Sequence, residues 1–109
     1  MFGLEAFKLT TLGEEIGHLL RDPKIIAAMI KVSRDNNRTP AVLVLGPRIE
    51  DLRLPVSAED RKAIGKLVRE VMEAHGWTTD IASKNRLPKG HVFGAGAVYY
   101  PSSSADAGR

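Results

Sequence analysis

The chain has 109 residues, enough for one domain and too few for a second sizeable core. Lysine and arginine outnumber aspartate and glutamate by 16 to 13, and the resulting formal charge of +3 allows a polyanionic partner without demanding one. The absence of cysteine excludes disulfides, thiolate nucleophiles and cysteine metal sites, and the longest apolar runs, Ile25–Ile30 and Ala41–Leu45, fall far short of the ~20 residues that span a bilayer.

In chain order, residues 1–9 carry Phe2, Leu4, Phe7 and Leu9, which suit a short helix or an arm docking its aromatics on the core. Met1–Glu5 lacks the basic start and long apolar core of a signal peptide, so a cytoplasmic protein is expected. Thr11 is placed to cap a helix running to about Arg21, and Thr11 with Glu14 has capping-box spacing. Leu12, Ile16, Leu19 and Leu20 form its apolar stripe. Asp22-Pro23 caps the next helix, with proline at the first helical position and Ile25, Ile26, Met29, Ile30 and Ser33 facing inward. Asp35–Arg38 is a polar break. Thr39-Pro40 can start another helix, but Ala41–Leu45 reads better as a buried strand on its β-branched content, and Gly46-Pro47 is expected to end it. Ile49, Leu52, Leu54 and Val56 return apolar side chains to the core, and Pro55 keeps that segment out of a central strand.

The informative stretch is Ser57–Tyr100. Ser57 is a good N-cap and Asp60 complements the helix dipole. Ile64, Leu67, Val68, Val71 and Met72 share one face of a long helix. Lys62, Lys66 and Arg69 share the other, within about 60° of arc at ~100° per residue. His75-Gly76 marks the stop, and Trp77 is placed to plug the gap behind it. Two strand-like arms, Ile81–Leu87 and His91–Tyr100, meet at Pro88-Lys89-Gly90. Gly94 and Gly96 suggest a bulge or a close backbone approach in the second arm. Residues 102–109 are small and polar and predict a disordered tail behind a single domain spanning 1–101.

Two constellations bear on function. Lys62, Lys66 and Arg69 can meet phosphates or base edges if their helix enters a groove. They also suit an ordinary solvated face, since Glu70 and Glu73 are spaced to pair with Lys66 and Arg69. Lys84, Asn85, Arg86, Lys89 and His91 make a local positive field, with no acid between Ile81 and Ala105. Such a wing can follow a phosphate backbone or enter a minor groove. The same residues also suit an edge that uses lysine and proline to block strand pairing. Phe93, Tyr99, Tyr100 and Trp77 can stack on bases, or more simply fill the core. His18, His75 and His91 form no metal motif, Gly94-Ala95-Gly96 lacks the third glycine of a dinucleotide fingerprint, and no nucleophile signature occurs. No enzyme activity, metal or cofactor is expected.

The run from Ser57 through Ile64 and Leu67 to His75-Gly76-Trp77, with the basic hairpin closing at Val98-Tyr99-Tyr100-Pro101, resembles the winged-helix C-terminal segment of virulence-associated protein E and related phage and mobile-element primases. The resemblance covers residues 57–101 and leaves the N-terminal helices aside. It implies a recognition helix over Ser57–His75 and a wing tip over Lys84–His91. The primase and helicase machinery of those proteins has no counterpart, so no catalytic activity carries over.

Together these features predict an α+β, winged helix-turn-helix-like protein that binds duplex DNA as a regulator or mobile-element accessory factor. Lys62, Lys66, Arg69, Lys84, Asn85, Arg86, Lys89 and His91 are its contact residues. The apolar N-terminal helices can supply a homodimer interface or equally the core. The alternative is a protein-interaction module, such as a phage-type regulator or inhibitor docking on a host protein, with no nucleic-acid affinity.

Overall fold

A computed structural model of the chain describes residues 4–35, 39–86 and 95–101. These residues form five α-helices followed by a two-stranded antiparallel hairpin, an α+β arrangement. The turn at Pro88–Gly90, the polar residues 36–38 and the tail at 102–109 lie outside the described residues.

Helix α1 (Leu4–Lys8) is one short turn whose Phe7 is fully buried, while Leu9 behind it is exposed. Helix α2 (Thr11–Arg21) is capped by Thr10, not by Thr11. The Thr10 hydroxyl donates to Phe7 O at 2.7 Å and accepts from Gly13 N at 2.9 Å, so one side chain closes α1 and opens α2. Gly13 then takes the position a capping-box carboxylate would need, and the Thr11–Glu14 box does not form. The apolar stripe is as expected, with Leu12, Ile16 and Leu20 buried and Leu19 partly so.

Asp22 ends α2 and starts α3 (Pro23–Arg34). Its N–H donates to Leu19 O and its carboxylate accepts from Lys24 N at 2.9 Å. Ile25, Met29 and Ser33 form the buried side of α3. The Ser33 hydroxyl is enclosed there without a partner among the described residues.

Ala41–Leu45 is not a strand. It is a wide π-helical turn, marked by Gly46 N–H donating to Ala41 O, that runs straight into α4 (Gly46–Leu52). The turn packs on α3 with Leu45 buried and Ala41 and Val44 half-buried, while Leu43 is exposed. Gly46-Pro47 therefore opens a helix where a stop was expected. Proline is tolerated in a first helical turn, where its missing N–H has no intrahelical acceptor to lose. The wide turn before it leaves room for the ring. Helix α4 ends at Arg53 in the left-handed region, φ 55°. Helix α5 (Ala58–Ala74) and strands β1 (Trp77–Arg86) and β2 (Ala95–Pro101) complete the order.

One core joins these elements. Phe7 of α1, Ile16 of α2, Met29 of α3, Ile49 of α4, Ile64 and Met72 of α5 and Tyr99 of β2 belong to a single buried cluster. No helix among the described residues is long and apolar enough to cross a membrane.

The tightest backbone approach is at Gly13, where an added Cβ would lie 1.9 Å from Phe7 O. At Gly17 the nearest atom is the far end of the flexible Arg21 side chain, 2.9 Å away. Gly13→Ala is expected to lower stability by about 1–3 kcal/mol or more, as overpacking against backbone does. Gly17→Ala should be close to neutral. Thermal unfolding of the two variants checks this, and equal melting temperatures would contradict the close approach of α1 and α2.

Candidate nucleic-acid interface

The candidate interface begins with the amphipathic split of α5. Ser57 Oγ accepts from Asp60 N at 3.0 Å and Asp60 Oδ2 accepts from Ser57 N at 3.0 Å, a reciprocal capping box that satisfies two end donors. Ala63, Ile64, Leu67, Val68 and Met72 are buried. Lys62, Lys66 and Arg69 lie on the opposite, exposed face. The helix closes where expected. His75 Nδ1–H donates to Val71 O at 2.9 Å, and Gly76 takes φ +87°, a left-handed turn that an L side chain rarely adopts. Strand β1 starts on the next residue, with Trp77 half-buried against the core.

The three helix cations are not equivalent. Arg69 Nε donates to Glu73 Oε2 at 2.9 Å across one helical turn. That hydrogen bond, with the Glu73 charge, raises the Arg69 pKa. Arg69 is therefore paired, as the spacing of Arg69 and Glu73 in the sequence allowed. Its partner is Glu73, one of the two acids spaced to neutralise the stripe. Lys62 and Lys66 are exposed and make no ion pair among the described residues. Glu70 is directed elsewhere. It lines an open groove of about 680 Å³ between α2 and α5, with Lys8, His18 and Arg21 on the far wall and Leu20, Leu67 and Val71 between. Arg21 also reaches back to Gly17 O at 3.1 Å.

Tyr99 connects the helix to the hairpin. Its ring is buried in the core, 2% exposed. Its hydroxyl is close enough to Arg69 and Glu73 to feel both charges. Burial pushes its pKa up to about 12, with Arg69 lowering it and Glu73 raising it. Helix α5 packs on β1, while β2, which carries Tyr99, packs on α3 and the π-helical turn.

The hairpin holds two regular segments in different registers. Trp77, Thr78 and Thr79 pair with Pro101, Tyr100 and Tyr99, while Lys84, Asn85 and Arg86 pair with Ala97, Gly96 and Ala95. Between them Asp80–Ser83 stands opposite Val98 alone, so the register breaks in the first arm; Gly96 pairs in register with Asn85, and Gly94 lies outside the described residues. Thr79 Oγ1 donates to Val98 O at 2.8 Å beside the break. Lys84, Asn85 and Arg86 are the last three residues of β1. Lys89 and His91, expected at the wing tip, lie outside the described residues.

Among the described residues no three His, Asp or Glu side chains converge as metal ligands. Comparisons of the chain with family models, with curated proteins and with solved structures found no match.

Tyr99 generates a pH dependence. A free tyrosine titrates near 10, and in the folded chain Tyr99 titrates near 12. Below pH ~10 both states hold the proton and the contribution is intact. As pH rises from there through the folded pKa, the unfolded state ionises first and stability is lost. Denaturant unfolding should show a steeper stability loss across that window in the wild type than in Tyr99→Phe. Parallel curves would contradict the buried neutral phenol.

Proposed function

We propose that the protein is a small, non-catalytic, winged-helix-like module that binds duplex DNA. It would suit a regulator or a mobile-element accessory factor. The observation that carries this reading is the placement of Lys62 and Lys66. Both are exposed and without an ion pair among the described residues, one helical turn apart on the face of α5 turned from the core. That helix passes through Gly76 directly into the strand bearing Lys84 and Arg86. Two unneutralised cations at helical spacing can each displace a counterion from a phosphate, and the hairpin can follow the backbone beyond them. Arg69 enters as a reserve, available to phosphate only when it leaves Glu73.

The second reading, a protein-interaction module, is favoured by Leu9. That side chain is 81% exposed and follows Lys8, which lines the groove between α2 and α5. It entails no DNA affinity and a specific protein partner.

A binding titration of labelled duplex DNA against salt separates the two. Lys62→Ala and Lys66→Ala should each lower the slope of log K against log salt by about 0.9. Glu73→Gln should raise affinity and slope, because it releases Arg69. A flat slope, or no binding at low salt, would overturn the reading.

A further inference from the structure

Gly65 is the feature of α5 that the fold leaves unexplained. It occupies the interior of a 17-residue helix, where glycine is among the poorest helix formers. The other glycines with a described setting meet something or need their conformation: Gly13 the backbone of Phe7, Gly17 the end of the Arg21 side chain, and Gly76 its left-handed φ. Gly65 does neither. It is exposed, its φ is not in the left-handed region, and a Cβ built there meets no atom within 4 Å.

Its position in the stripe is informative. Lys62, Gly65, Lys66 and Arg69 are spaced i, i+3, i+4 and i+7, a continuous line down one helical face. At ~100° per residue, Gly65 lies on the edge of that line toward Val68 and Met72. Glu70 lies on the other edge, toward α2. The bare helix backbone at Gly65 is thus bordered by Lys62, Lys66 and Arg69, with the groove that Glu70 lines on the far side. Glycine is the residue that lets a backbone come close to a ligand.

We propose that Gly65 is the seat of the DNA sugar–phosphate backbone on α5. Without a side chain there, the strand approaches the helix closely enough for Lys62 and Lys66 to reach phosphates on either side of the seat. A side chain at 65 would hold the strand away and lengthen both contacts. This rests on the duplex-DNA reading and names the point of closest approach within it.

The test pairs thermal unfolding with anisotropy titration of a labelled mixed-sequence duplex at low salt, on Gly65→Ala and Gly65→Gln. Both substitutions favour the helix, so both variants should melt a few degrees above the wild type. Gly65→Gln keeps the charge yet should bind on the order of tenfold more weakly with a shallower salt slope, as when phosphate contacts are held off. Gly65→Ala should fall between. Wild-type affinity in Gly65→Gln, with a raised melting temperature, overturns the seat while leaving the DNA reading in place. A lowered melting temperature in Gly65→Ala also overturns it, because the glycine then serves the fold. No binding by the wild type at low salt overturns the DNA reading itself, and the seat with it.

Discussion

Burial of the Tyr99 ring is the contact on which the geometry of α5 and the hairpin depends. A two-stranded hairpin is at best marginally stable alone. This one is held by what it inserts into the core, the buried Tyr99 and the half-buried Trp77. Losing a buried aromatic ring typically costs about 3–5 kcal/mol. Tyr99 packs β2 into the core that α3 also lines, and β1 packs on α5, so the hairpin is held beside the helix from both strands. Gly76 completes the arrangement by turning the chain from helix to strand within one residue.

The charge on that line is graded. Arg69 is spent on Glu73 and Glu70 turns toward the cations of α1 and α2, which leaves Lys62 and Lys66 as the outward pair. Exposed ion pairs contribute little to stability. The Arg69–Glu73 pair therefore costs the fold little to break, and a phosphate can compete for the arginine. A helix with two free lysines, one reserve arginine and a bare glycine among them has an outer face whose composition the core does not require.

Local rules made the helix ends legible. Asp22-Pro23, Ser57 with Asp60, and His75-Gly76 each work through hydrogen bonds within a few residues, and all three stand where their side-chain chemistry puts them. The buried faces of α2, α3 and α5 followed from spacing for the same reason. What failed needed contacts between elements. Thr10 displaced Thr11 as a cap because its hydroxyl also reaches Phe7 O. Ala41–Leu45 is too short for periodicity to decide, and its valines outweighed the correct signal at Thr39-Pro40. The hairpin glycines drew attention to the second arm, whereas the register breaks at Asp80–Ser83. At the candidate interface the basic residues were evident from spacing. The Arg69–Glu73 pair was legible from its i,i+4 spacing, whereas the burial of Tyr99 and the groove between α2 and α5 depend on how the elements pack.

The most direct measurement is a two-dimensional amide NMR titration with duplex DNA at low salt. Resonances of Lys62–Arg69 and of Lys84–Arg86 are expected to shift together, with those of the buried Ile25 and Met29 of α3 unmoved. Shifts confined to Lys8, His18, Arg21 and Glu70 around the groove, or none at all, would contradict a DNA-binding surface built from α5 and the hairpin.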